Sequence, residues 1–149
     1  MTKLINIRSL TPNDIPRLHE LYSQFDSEPN LPVSAEETSR SLAELQRNGD
    51  VLVALKNGEV VGTCSVYVCP TLLRGARPFA VIEHIVIDPK NRRNGIGRQL
   101  IEAAIKHADS AGCYKTMLMT GMNRKENHGF YEACGFVGDK IGFQKRQLA

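Results

Sequence analysis

The chain has 149 residues and a mass of 16.5 kDa, the size of one ordinary domain, which leaves no room for a separate cofactor module and predicts a single unit over residues 1–149. With 42% apolar and 23% charged residues it is globular rather than disordered, and its formal charge of +3 suits a phosphate-bearing ligand but falls short of a nucleic-acid-binding signature. No apolar run approaches the roughly 20 residues of a membrane span, and the start MTKLINIRSL lacks the apolar core of a secretory signal, so a cytoplasmic protein without membrane or nucleic-acid partners is expected.

Residues Ile5 to Leu10 read as a first strand. Thr11-Pro12-Asn13-Asp14 then supplies an N-cap, a proline at the first helical position and an acid in the first turn of a helix running to about Phe25. Ser34, followed three residues later by Glu37, forms a capping box for a second helix that ends near Gly49. Val51–Leu55 and Val60–Val68 flank Asn57-Gly58, a two-residue turn signal that predicts an antiparallel hairpin. A loop, Pro70 to Pro78, leads into Ala80–Ile87, whose nearly unbroken apolar run predicts a strand buried on both faces. From Gly95 the spacing turns helical, with Ile96, Leu100, Ile101, Ala104, Ile105 and Ala108 on one stripe and Gly112 as the stop. A strand over Thr116–Thr120, a short helix through Glu132 with Gly135 behind it, and one or two strands between Phe136 and Gln147 complete a mixed α/β domain.

Cys64, Cys69, Cys113 and Cys134 form no CxxC pair, and His19, His107 and His128 show no ligand spacing, so neither structural zinc nor a disulfide framework is expected and no metal site is assigned. The stretch Arg92-Arg93-Asn94-Gly95-Ile96-Gly97-Arg98 carries more information. Gly95 and Gly97 would let a ligand approach the backbone, with positive φ within reach of either, and the free amides of a helix start suit a pyrophosphate. It is neither a Walker A loop, since no GK[ST] follows, nor a dinucleotide fingerprint. By these residues alone it reads equally as a pyrophosphate site or as a plain loop with solvated arginines.

Arg92-x-x-Gly95-x-Gly97 together with Phe130-Tyr131-x-x-x-Gly135-Phe136 downstream resembles the GNAT superfamily of N-acetyltransferases. The resemblance spans the domain in element order and is sharpest from Ile82 to Phe136. Gly112-Cys113-Tyr114-Lys115 and Asn127-x-Gly129-Phe130-Tyr131 are also similar to segments of the glucosamine-6-phosphate subgroup, which carries an acid where His84 stands here. The resemblance implies a mostly antiparallel twisted sheet with a splay between its fourth and fifth strands, flanked by about four helices. It further implies acetyl transfer from acetyl-CoA to the primary amine of a small molecule by direct attack on the thioester, in a possible homodimer. Backbone groups of Ile85, Val86 and Ile87 would pair with the pantetheine arm, Arg92 to Arg98 would hold the pyrophosphate, and Asn127 would contact the arm beside Tyr131.

Such a reaction needs a neutral amine, a stabilised oxyanion and a proton for the departing thiolate. Tyr131 is the candidate proton donor and Glu83 the candidate base. Strand alternation would send Glu83 and its neighbour His84 to opposite faces, which leaves His84 as a structural or substrate-lining residue. A sensor that binds acyl-CoA without turnover is the alternative, disfavoured because Tyr131, Glu83 and the glycine turn occur together. Acceptor contacts are expected from Phe25–Glu36 and Cys69–Phe79, where Arg74 and Arg77 could turn toward the mouth of the site and favour an amine bearing an anionic group.

Overall fold

The computed structural model describes residues 4–25 and 31–147. Strands β1 (Ile5–Ser9), β2 (Gly49–Lys56), β3 (Glu59–Cys69), β4 (Phe79–Ile87) and β5 (Thr116–Leu118) form one sheet in the order β1-β2-β3-β4-β5. The first four are antiparallel neighbours, and β5 lies parallel to β4. Helices α1 (Ile15–Tyr22) and α2 (Ala35–Arg47) pack on one face of the sheet, α3 (Ile96–Ser110) and α4 (Lys125–Ala133) on the other.

The local signals explain most boundaries. The Asn57-Gly58 turn has positive φ at both positions, as a type I′ hairpin requires, and sets Lys56 opposite Glu59. At α2 the Ser34 hydroxyl accepts from the Glu37 amide at 3.1 Å while the Glu37 carboxylate accepts from the Ser34 amide at 3.0 Å. On α3 the stripe of Ile96, Leu100, Ile101, Ala104 and Ala108 is buried against Leu52, Val66, Ala80 and Ile82. Each large aliphatic side chain buried there contributes roughly 1.5–3 kcal/mol, which holds the α3 start to the sheet.

Asp14 ties β1 to α1. Its carboxylate accepts from the Arg8 guanidinium at 2.6 Å and from the Thr11 amide at 2.8 Å, and these contacts hold its pKa down at about 2. A carboxyl depressed in the folded state stabilises it above the ordinary value of 3.8, and that contribution fades as pH falls through about 2. Asp14→Asn is therefore expected to cost about 1–2 kcal/mol at neutral pH and to flatten the loss of stability between pH 4 and 2 in urea melts. An unchanged acid limb would contradict this.

Four expectations change. The first helix ends at Tyr22, because the amides of Gln24 and Phe25 bond three residues back and unwind the last turn. The fifth strand stops at Leu118 rather than Thr120. Residues 136–147 form no strand, since β5 offers only three paired residues and the segment has no ladder partner among the described residues. Finally, β4 is not buried on both faces: Ala80, Ile82 and Val86 are buried, but Glu83 is half-buried and His84 exposed. The α1 face is open at that point, and this opening is the candidate site.

Candidate active site

Two features of β4 build the site. The first is a bulge. Thr63 pairs with Val86 and Ser65 with Glu83, so Cys64 alone faces both His84 and Ile85, and His84 takes a φ of 54°. Ile82 and Ile85 therefore both belong to the α3-side core, while His84 packs among Tyr22, Phe25 and Tyr67 at ring separations of 5.8, 6.2 and 6.5 Å. Glu83 shares a face with its cross-strand partner Ser65, which lines the same α1-side cleft as Tyr67 and His84. The expected alternation is thus overturned: the extra residue puts Glu83 and His84 on the same side of the sheet.

The second feature is a splay. β5 pairs with Ala80, Val81 and Ile82 only, so from Glu83 onward the β4 edge has no partner in that ladder. Ile85, Val86 and Ile87 belong to this stretch of β4 beyond the β5 ladder, an edge to which an amide-bearing arm can add as a strand. Arg92 Nε already donates to the Ile87 carbonyl at 3.3 Å, and its guanidinium reaches Gln24 Oε1 at 2.6 Å. Arg92 therefore joins the end of β4 to the end of α1.

Past β4, the Asp88 carboxylate accepts from the Lys90 amide at 2.9 Å and from Arg17, fixing the turn that carries the glycines. Arg93 and Gly95 have φ of 63° and 75°, and Gly95 sits at the N-cap of α3 with no side-chain cap. The amides of Ile96, Gly97 and Arg98 are the uncapped first turn, a fit for a pyrophosphate. Asn94 braces the turn through the Asn91 carbonyl at 3.2 Å, and Arg98 pairs with Glu102 at 3.1 Å. Gly97 departs from expectation. It is helical, without positive φ, and a Cβ there would lie 3.3 Å from the Phe130 ring, so its role is to let α3 approach α4.

That approach positions Tyr131. Phe130 and Phe136 flank it at 5.2 and 6.4 Å between ring centres. Burial, then Cys134, then Glu83 push its phenol above the usual value, so it keeps its proton at neutral pH. The same carboxylate, after burial, also raises Tyr67, so the Glu83 charge is felt by both phenols. Asn127, in the first turn of α4, is half-buried, with its amide on the Arg124 carbonyl at 3.0 Å.

A cleft of about 250 Å³ opens on the α1 side. It is lined by Leu10, Leu18, Leu42, Leu45 and Val51, by the polar His19, Thr38 and Ser41, and by Ser65, Tyr67 and His84 of the sheet. Burial pushes up the Tyr22 and Tyr67 phenols, and Ser65 offsets part of that rise in both. The expected acceptor segments are corrected here: α1 and α2 line this cleft, Cys69–Phe79 does not, and residues 26–30 lie outside the described residues. Arg77 instead donates to the Gly112 carbonyl at 3.2 Å and Arg74 lies over the Tyr114 ring at 5.8 Å, so neither turns toward the cleft. Tyr22, Ser65 and Tyr67 were not singled out from the sequence; the register of β3 against β4 was the signal that could have found Ser65. Among the described residues no group of His, Cys, Asp or Glu side chains is placed to hold a metal, and no helix is long and apolar enough to cross a membrane.

A splayed sheet with a bulged fourth strand, an uncapped glycine-led helix and a tyrosine on the following helix defines an acetyl-transferring domain, and the chain belongs to the acetyltransferase (GNAT) family, whose model matches residues 15–136. It transfers acetyl from acetyl-CoA to an amine. It is 30% identical to glucosamine 6-phosphate N-acetyltransferase of Trypanosoma brucei brucei over 142 residues, 91% of this chain and 92% of that one. An aminoalkylphosphonate N-acetyltransferase of Salmonella typhimurium is 35% identical over 101 residues, covering 68% and 65% of the two chains. The crystal structure of glucosamine-6-phosphate N-acetyltransferase from Arabidopsis thaliana superposes with a TM-score of 0.86 at 28% identity, over 98% of this chain and all of that one.

Proposed function

We propose that the protein acetylates the primary amine of a small molecule by direct attack on the thioester, with Glu83 as base and Tyr131 as acid. The observation that carries this reading is that Glu83 is the first residue of β4 beyond its ladder with β5, on the face of Ser65, with its charge felt by the Tyr67 and Tyr131 phenols. Acetyl-CoA would lie with its arm along Ile85, Val86 and Ile87 beside Asn127, and its pyrophosphate on the turn from Arg92 to Arg98. The open strand edge and uncapped helix start support that placement.

An alkyl ammonium loses its proton near pH 10.4 and has no lone pair until it does. Glu83, directly or through water, therefore takes that proton before the nitrogen bonds to the acetyl carbon, and the further proton that the nitrogen of the adduct loses passes to solvent. The bulge frees backbone groups near His84 from the ladder, the kind of donor an oxyanion requires. As the carbon–sulfur bond breaks, the Tyr131 hydroxyl gives its proton to the leaving thiolate. Solvent then returns a proton to Tyr131 and removes one from Glu83. Glu83→Gln is expected to lower kcat/KM about a hundredfold at pH 6.5 and far less at pH 9.5, where more of the amine is already neutral. An acidic limb identical to that of the unaltered enzyme would remove Glu83 from this role.

A second copy of the chain supplies what residues 136–147 lack. Val137, Ile141 and Phe143 are 79%, 74% and 93% exposed, and a Cβ at Gly142 would lie 2.9 Å from Met119 Sδ, so the segment runs beside β5 without pairing. Apolar strand-length segments left this open are usual at subunit contacts. A homodimer is expected, and sedimentation equilibrium giving only the 16.5 kDa monomer at micromolar concentration would contradict it. The four cysteines are free, which suits a cytoplasmic, reducing environment.

A further inference from the structure

We infer that the acceptor is a small primary amine with an apolar body and no anionic group, an inference that rests on Glu83 and Tyr131 carrying acetyl transfer as proposed above. The cleft is mainly apolar, lined by leucines of α1 and α2 with Leu10 and Val51, while His19, Thr38 and Ser41 are polar members of its helical side and Ser65, paired with Glu83, of its sheet side. An amine whose nitrogen lies by Ser65, Tyr67 and His84 leaves its carbon body against the leucines, out of water. The Tyr22, Tyr67 and His84 rings there also favour the approach of an ammonium before it is deprotonated.

Anionic amines are disfavoured by what the cleft omits. Among the described residues that line it there is no lysine or arginine, His19 and His84 being its basic groups, and a phosphate or carboxylate taken out of water calls for a permanently charged partner. The nearby cations are committed to other groups. Arg17 serves the Val60 carbonyl, Glu20 and Asp88. Arg8 holds Asp14, and Arg92 holds Gln24 and the Ile87 carbonyl. Arg74 lies with Lys115 against Tyr114, outside the cleft. At about 250 Å³ the space is also below the roughly 300–1,000 Å³ usual for drug-sized ligands.

The test is thiol release from saturating acetyl-CoA with 2-phenylethylamine and isopentylamine against 2-aminoethylphosphonate, glucosamine 6-phosphate and spermidine, with acetyl-CoA binding followed by calorimetry. The apolar amines are expected to show kcat/KM at least a hundredfold above the others. Ser41 is exposed on α2 and lines the cleft, so Ser41→Arg should fold normally. It should lower KM for the anionic amines tenfold or more with kcat little changed. Equal or better turnover of an anionic or polycationic amine by the unaltered enzyme would overturn the acceptor class while leaving acetyl transfer standing. Thiol release with none of the amines, in a protein that binds acetyl-CoA, would overturn both.

Discussion

Tyr131→Phe is expected to lower kcat by roughly ten- to a thousandfold while acetyl-CoA affinity stays within about twofold. In the proposed mechanism the hydroxyl acts mainly once negative charge develops on sulfur, so its loss would fall on the transition state rather than on ground-state binding. Burial, reinforced by Cys134 and Glu83, keeps the phenol protonated, and the flanking Phe130 and Phe136 rings hold the phenylalanine variant in the same place. Stopped-flow thiol release with calorimetry on the same preparation separates the two effects. Normal turnover would show that water protonates the thiolate.

The second large effect is at the cofactor turn. Gly95→Val is expected to weaken acetyl-CoA binding more than tenfold in a folded protein. Gly95 has a φ of 75°, which a β-branched residue adopts only under strain, and a Cβ there meets no protein atom within 4 Å. The new side chain therefore projects into the space beside the uncapped α3 start, where the pyrophosphate is expected. Gly97→Val is a poorer probe, because its side chain strikes Phe130 next to Tyr131 and so couples binding to catalysis. Calorimetry giving unchanged affinity in a folded Gly95→Val variant would move the pyrophosphate elsewhere.

What was legible in the sequence follows from how local each signal is. The Ser34–Glu37 capping box, the Asn57-Gly58 hairpin and the α3 stripe depend on residues within a few positions of one another and formed as read. Gly49, by contrast, read as the cap that stops the second helix, opens β2, and Asn48 is the cap. The bulge at His84 depends on the register between β3 and β4, so alternation along β4 alone placed His84 on the wrong side. The apolar run Ala80–Ile87 suggested two buried faces, whereas the α1 face over Glu83 and His84 is left open by the cleft. Gly95 and Gly97 look alike in the sequence; only the close packing of α3 on α4 separates a glycine needed for its φ from one needed for its missing Cβ. Arg74 and Arg77 sit in a loop whose direction is set by Gly112 and Tyr114, some 35 residues away for Arg77, and no local pattern encodes that.

Acetyl transfer with paired roles for Glu83 and Tyr131 is tested most directly by product stoichiometry. The protein, acetyl-CoA and the amine series would be incubated together, with free thiol read by absorbance and the amine by mass spectrometry. The account predicts one N-acetylated amine for each thiol released, at a rate that falls at least tenfold in Tyr131→Phe. Binding of acetyl-CoA with no thiol release above the buffer rate, for any amine, would contradict it.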